Sequence, residues 1–368
     1  MVEDGRLIEV SPTLVVALRR CALAVRLTRS RRATATSSPS SRPARLGTAA
    51  HRVLAWVADD AATQLDPTEL EAAVRQRWLE EVAIEEKAAA AWPLESYFGP
   101  ADEWPAFATT QERLVIEARR LAAELSQTPA AERWVERALS CSDPPMHGSP
   151  DLVEIDGGVA RVIEFKTGHV EADDAQPAGR YGLQVLLYAA MVRELGKVVA
   201  AAETRPIGRA PLMVGVSNET IDAARVVART ALEEFNEAIE TGEIATLARP
   251  SGQVCGYCPH TLRCPVLWEG GGAASLDEMQ IVEGVVLRLQ HSHSGSTAIE
   301  VEATTGTAHG PITLTGLDDR RLPALHELLP GDRVRASGLR RRPGGAVLAA
   351  RSGAWVQLAS ISGIEAFR

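Results

Sequence analysis

The sequence predicts a mixed α/β (α+β) protein: a helical N-terminal part, a strand-and-helix core and a small C-terminal β-barrel. Three observations predict it. Apolar residues at helical spacing fill residues 12–28, 67–91 and 108–140. A pair of apolar strands joined at Gly157-Gly158 follows, with Asp151, Glu164 and Lys166 set into it. After the glycine-rich stretch "EGGGAAS" at 269–275 the pattern changes to repeated short strands.

Element by element, Ser11-Pro12 opens the helix over 12–28. Residues 33–44, "ATATSSPSSRPA", form a low-complexity loop. Thr48 caps a helix through "TAAHRVLAWVADDA". The helices at 67–91 and 108–140 are amphipathic, with Glu, Arg and Gln on the outer face. After the strand pair come a helix at 181–195, a strand at 211–216 and a helix at 219–240. Beyond the glycine-rich stretch, strands at 279–290, 297–304 and 310–317, the short helix "PALHELL", and strands at 332–341 and 346–358 follow. Three strands, a helix and two strands is the order of an oligonucleotide/oligosaccharide-binding (OB)-like barrel. The expected domains are 1–268, a linker at 269–276, and the barrel at 277–368. With no GxxxxGK[ST], a built-in nucleotide motor is not expected.

A chain of 368 residues suffices for two domains, and its 45% hydrophobic and 24% charged residues are those of a globular protein. A net charge of −9 argues against a generally basic nucleic-acid binder. Yet no Asp or Glu occurs from Val10 to Ala58, a stretch that holds Arg19, Arg20, Arg45 and Arg52 among its arginines. A second basic cluster, "RASGLRRRPGG", lies at 335–345. Either segment could grip a phosphate backbone locally or be a solvated arginine-rich loop.

Charged side chains are rarely buried unless paired or bound to a metal. Side chains alternate along a strand, so Glu164 and Lys166 share a face with Val162. With Gly157-Gly158 as a two-residue loop, Asp151 falls opposite Glu164. With Asp156-Gly157 as the loop, it falls diagonal to Glu164 on the same face. A three-residue loop would turn it away. Two adjacent carboxylates repel, a cost that a divalent ion removes. Oxygen ligands suit Mg²⁺ or Mn²⁺, and Lys166 would orient water or neutralise developing charge. An exposed salt-bridge patch is the plainer reading of an isolated ExK.

These residues, G-x-x-D at 148–151 and E-F-K at 164–166, resemble the PD-(D/E)xK nuclease superfamily, in particular its RecB-type, CRISPR-associated exonuclease branch. His51 in "GTAAHRVL" and Gln184 and Tyr188 in "LQVLLY" extend the resemblance over about residues 9–268. It implies a restriction-endonuclease-like core. His51 would join Asp151 and Glu164 on the metal, and Lys166 would be the catalytic lysine. Gln184 and Tyr188 would contact nucleic acid and steady that lysine. Without the resemblance, His51 reads as an ordinary helix histidine, and Gln184 and Tyr188 as two polar positions on one helix face.

Cys255, Cys258 and Cys264 form C-x2-C-x5-C, and Cys21 lies far upstream. Thiolates at this spacing bind zinc or an iron–sulfur cluster. No second CxxC is present to complete a zinc ribbon, although His260 offers a fourth zinc ligand. The split of one early and three late cysteines resembles the [4Fe–4S] staple of the same branch, which favours a structural cluster.

The resulting expectation is a metal-dependent deoxyribonuclease, an exonuclease on single strands or duplex ends. It would use Mg²⁺ or Mn²⁺ and carry a structural [4Fe–4S] cluster, in DNA repair or defence. Arg19, Arg20, Arg45 and Arg52 would lie against DNA, and the absence of a motor suggests a protein partner such as a helicase or integrase. The alternative is a non-catalytic nucleic-acid-binding scaffold with zinc in place of iron. "MVEDGRLIEV" has no signal-peptide pattern and no apolar run reaches ~20 residues, so a cytoplasmic protein without a membrane partner is expected.

Overall fold

The computed structural model describes residues 2–3, 5–29, 41–59, 64–91, 99–127, 132–269, 276, 278–319, 322–344, 346–350 and 357–361. The chain divides into two units. The first comprises Met1–Arg19, Ser40–Ala88 and Pro100–Thr241; the second comprises Arg20–Pro39, Ala89–Gly99 and Gly242–Arg368. The cysteine-bearing segment thus groups with the barrel. In chain order the elements begin with β1 (Val2–Glu3), β2 (Arg6–Leu7), α1 (Pro12–Arg29), α2 (Arg42–Ala58), α3 (Pro67–Ala90) and α4 (Phe107–Gln127). Next come β3 (Glu132–Val135), β4 (Leu139–Ser142), β5 (Pro145–Gly148), β6 (Leu152–Asp156), β7 (Val159–Lys166), α5 (Arg180–Glu194), β8 (Val198–Pro206), β9 (Leu212–Val214) and α6 (Asn218–Thr241).

The first unit is built on a five-stranded sheet in the order β3-β6-β7-β8-β9. Gly157 (φ 54°) and Gly158 (φ 87°) both take the left-handed conformation, and Asp156 pairs with Val159. The Gly157-Gly158 loop is therefore the two-residue turn, and Leu152 faces Ile163. β7 carries Ala160, Val162, Ile163 and Phe165 all buried, as a strand covered on both faces must. It runs parallel to β8, and α5 makes the crossover between them. Residues 182–192 of α5 are buried all round, the pattern of a core helix.

Three sequence expectations change here. The helix expected over 108–140 ends at Gln127, and β3 and β4 occupy its second half; Pro129 cannot continue a helix. α2 begins at Arg42 rather than after Thr48. Ser41 caps it by accepting from Ala44 N at 3.3 Å, and Pro43 suits its first turn. Of the loop expected at 33–44, residues 33–40 lie outside the described residues. The third is β8, a central strand absent from the sequence expectation. Its alanines are weak strand formers, and its end carries the buried residues Glu203, Thr204 and Arg205. The Arg205 Nε donates to Glu203, and its Nη2 donates to Glu124 Oε2 at 2.6 Å, so the charges are paired within the unit.

In the second unit, α1 is interrupted at Cys21 (φ −169°, ψ 101°). Later come α7 (Gly252–Cys255) and α8 (Pro265–Trp268), then β10 (Met279–His291), β11 (Ser296–Gly306), β12 (Gly310–Asp318), β13 (Arg333–Arg341), β14 (Val347–Ala350) and β15 (Gln357–Ser360). The order β10-β11-β12-β14-β13, with β13 pairing back to β10, closes a five-stranded barrel. β12 and β14 are parallel and the other pairings antiparallel. Val282, Ile299, Val301, Leu314 and Leu339 are among its core. The single strand expected at 346–358 is two, β14 and β15, with residues 351–356 outside the described set. Of the expected linker, residues 270–275 also lie outside it.

Candidate active site and cysteine pocket

Five elements of the first unit converge on the charged strand pair. Asp151 lies immediately before β6, opposite Glu164 by the register of the hairpin. Its Oδ2 accepts from Phe165 N at 2.6 Å, and its Oδ1 lies 2.8 Å from His51 Nδ1 on α2. Glu164 Oε1 accepts twice, from Lys166 Nζ at 2.8 Å and from Gln184 Nε2 on α5 at 2.9 Å. Gln184 Nε2 also donates to Thr13 Oγ1 on α1 at 3.1 Å. Asp151, Glu164 and Gln184 are all buried.

The electrostatics are those of a site short of positive charge. Burial, with the Asp151 charge adding to it, pushes the Glu164 carboxyl up to about 7. Asp151 is pulled the other way. Burial would raise it, but His51, Lys166 and the Phe165 amide hold it below the usual carboxylate range. His51 is raised: burial opposes its charge, and Asp151 more than compensates. Tyr188 is raised by burial and by the two carboxylates, so it stays a neutral phenol.

One further residue joins the site without a sequence motif to announce it. Glu136 follows β3 in the left-handed conformation (φ 47°), and its amide donates to Asp151 O at 3.2 Å. His51, Glu136 and Asp151 each offer a ligand atom within 4.8 Å of the others. Although the residue is exposed, burial of its carboxyl and the Asp151 charge push Glu136 up to about 7. No spacing marks it, because the sequence around strand β3 carries a helical pattern. The lone signal is that left-handed backbone, which is uncommon for glutamate and visible only in the fold.

The donor set fits a hard divalent cation: carboxylate oxygens and one imidazole, with a lysine beside them. Glu164 Oε2 is buried and has no hydrogen-bond partner. A buried carboxylate oxygen left unsatisfied is costly, and a bound cation would satisfy it.

The residues expected to meet nucleic acid divide. Gln184 and Tyr188 are buried, 6% and 5% exposed, and Gln184 buttresses Glu164. Neither reaches the surface as a nucleic-acid contact. Arg45 is also buried, with Nη1 on Glu85 Oε2 at 2.9 Å. Arg52 is 43% exposed and pairs with Glu81 and Glu85. Arg19 is exposed, and in the second unit the exposed Arg20 donates to Gln253 O at 2.9 Å.

In that second unit Cys21, Cys255, Cys258 and Cys264 line one pocket whose accessible lining is apolar. Burial pushes the Cys255 thiol up to about 11 and Cys258 up to about 12, and the neighbouring cysteines add to both shifts. Four soft donors around one apolar cavity suit iron–sulfur or zinc. His260 also lines it, but both of its ring nitrogens are engaged. Arg263 donates to Nδ1 at 3.0 Å, so Nε2 carries the proton toward Thr28 Oγ1 at 2.7 Å. Thr28 in turn donates to Ala24 O at 2.9 Å. No lone pair of this histidine is left for a metal.

Two of the four arginines in the barrel's basic cluster, Arg335 and Arg341, are engaged within the unit, and Arg340 and Arg342 are exposed. Arg335 is buried, donates to Glu283 Oε2 at 2.7 Å and to Leu262 O at 3.0 Å, and lies 4.7 Å from the Trp268 ring centroid. Arg341 donates to Gln280 Oε1 and Thr307 O. The sequence has no Phe, Trp or Tyr from Glu269 to Ala354, so this part of the barrel offers no base-stacking platform. Trp355 and Phe367 lie outside the described residues. Among the described residues no helix is long and apolar enough to cross a membrane.

A family model for the PD-(D/E)XK nuclease superfamily matches residues 9–265. No curated protein matches the chain.

Proposed function

Because the chain belongs to the PD-(D/E)XK nuclease superfamily, we propose that it is a metal-dependent exonuclease hydrolysing phosphodiester bonds at DNA single strands or duplex ends. The observation that carries this reading is the buried Glu164 carboxylate, held at Oε1 by Lys166 and Gln184 with Oε2 unsatisfied, together with His51, Glu136 and Asp151, whose ligand atoms lie within 4.8 Å of one another. Asp151, Glu164, His51 and Glu136 would hold Mg²⁺ or Mn²⁺. When bound, such an ion polarises a phosphoryl oxygen and makes water acidic enough to attack at neutral pH.

The chain's own residues have separable parts in this reading. Gln184 fixes Glu164 from the core side, so that one carboxylate oxygen stays available. Asp151 is oriented by His51 and the Phe165 amide. Lys166 presents an ammonium to the water and the phosphate charge that develops. Tyr188, a neutral phenol, hydrogen-bonds Gln184 and Thr13 and so supports Gln184 from its own helix. Of the arginines expected at the DNA, Arg19 is exposed and Arg52 is half-exposed, reaching a backbone only alongside its pairing with Glu81 and Glu85.

The same reading places a structural [4Fe–4S] cluster on Cys21, Cys255, Cys258 and Cys264. It is supported by four thiols around one apolar cavity and by a histidine whose nitrogens are engaged elsewhere. We place the enzyme in DNA repair or defence in the cytoplasm, with a protein partner such as a helicase or integrase.

The test is cleavage of end-labelled DNA in Mn²⁺ or Mg²⁺ by the purified chain. Asp151→Ala and Lys166→Ala should each lose on the order of a hundredfold or more in rate. Full activity in both variants, or no cleavage by the parent protein, would refute the assignment.

A further inference from the structure

The first turn of α5 is pressed onto the 3-10 turn Ala172–Ala175 that precedes it. A Cβ at Gly182 would lie 2.0 Å from Gln176 O, and one at Gly179 would lie 2.2 Å from Asp173 O. Only hydrogen fits at either place without a backbone shift, so the start of the helix packs directly against this turn. Between these glycines stand Arg180 and Tyr181. Arg180 is pinned by Asp174, with Nε to Oδ1 at 2.9 Å and Nη2 to Oδ2 at 3.0 Å, and by His169 O at 3.2 Å. Its guanidinium lies 4.4 Å from the centroid of the Tyr181 ring. The Lys166 ammonium lies 5.1 Å from the same centroid while it donates to Glu164 Oε1.

A lysine is a compact charge on a flexible four-carbon stem. One hydrogen bond to Glu164 leaves that stem free to pivot. An aromatic face attracts a cation through its quadrupole and adds a second, direction-setting contact. We propose that Tyr181 is a positioning residue for Lys166: its ring, fixed in place by Arg180 and the glycine-packed helix start, holds the ammonium toward the site. This rests on Lys166 being the catalytic lysine. The ring is what acts here, and the Tyr181 hydroxyl takes no part.

The experiment compares Y181F, Y181L and K166A in the full chain with end-labelled DNA and Mn²⁺, measuring kcat and KM separately. Mn²⁺ affinity is read by calorimetry on the same proteins. Y181F should match the parent. Y181L should lose about tenfold in kcat with KM and Mn²⁺ affinity within about twofold of the parent. Parent-like kcat in Y181L beside an inactive K166A would overturn the role of Tyr181 alone. A fully active K166A would overturn the assignment of Lys166 itself. Equal losses in Y181F and Y181L would place the effect on the hydroxyl and also overturn the proposal. A raised KM at unchanged kcat would make Tyr181 a substrate contact, and lost Mn²⁺ affinity would make it a support of the metal ligands; either result overturns a role in setting Lys166.

Discussion

At the scale of single residues, the site is defined by carboxylates that the fold would rather keep protonated. Glu164 and Glu136 both rise to about 7 from the ordinary 4.5. The folded chain therefore holds more protons than the unfolded one as pH climbs through that interval, and metal-free stability falls across it. A cation binds the ionised forms, so its binding must release protons below about pH 7. The rise in Tm caused by Mn²⁺ should accordingly be larger at about pH 8 than at about pH 6. Glu136→Gln should shrink that rise while leaving the metal-free Tm unchanged or higher, since it removes a carboxyl crowded against Asp151. A Mn²⁺ effect that is equal at both pH values, measured by scanning calorimetry, would contradict this picture. Asp151, Glu164 and Lys166 are legible in the sequence because strand alternation and a two-residue turn set which side chains meet. Glu136 is not: its place in the site comes from pairing of β3 with β6, and no local spacing encodes a long-range pairing.

At the scale of elements, the hairpin β6–β7 carries the register on which the site depends. A methyl group added at Gly157 or Gly158 would meet nothing within 4 Å, so the demand for glycine is one of backbone conformation and not of space. Gly157→Val should cost about 1–2 kcal/mol through left-handed strain, seen as a lower urea midpoint, whereas Gly157→Asn should cost only a fraction of that. Equal midpoints for the two variants would mean that the turn does not require the left-handed conformation. The turn can be read from sequence because Gly-Gly between two apolar runs has few other uses. β8 cannot, because its buried Glu203 and Arg205 look like surface residues until their partners are known. Glu203 also meets Arg161 of β7, and Arg205 meets Glu124 of α4. Helix α4 is shorter than its pattern implies for the opposite reason: periodicity persists past its end, and Pro129 is the better guide to where it stops.

At the scale of the whole molecule, the two units ask for different chemistry: hard oxygen and nitrogen donors in the first, four sulfurs in the second. The sulfur pocket draws Cys21 from α1 and the other three from the end of α7 to the residue before α8, so a group bound there would cross-link chain positions more than 200 residues apart. With burial raising Cys255 to about 11 and Cys258 to about 12, these two are neutral thiols at physiological pH in the metal-free pocket, and assembly of a metal group must expel their protons. Zinc on three cysteines and a histidine would need a lone pair on His260, but Nδ1 accepts from Arg263 and Nε2 carries the proton donated to Thr28. With the proposed cluster in that pocket, His260→Gln should retain iron after anaerobic purification as the parent protein does, while Cys21→Ser and Cys258→Ser should lose it. In those two serine variants, hydrogen exchange should quicken across 252–268, where the cysteine loop loses its anchor, and stay slow across 182–192, whose protection comes from burial in the first unit. Zinc in the parent protein, iron lost from His260→Gln, or exchange that quickens equally in both segments would each count against a cluster that staples the second unit alone.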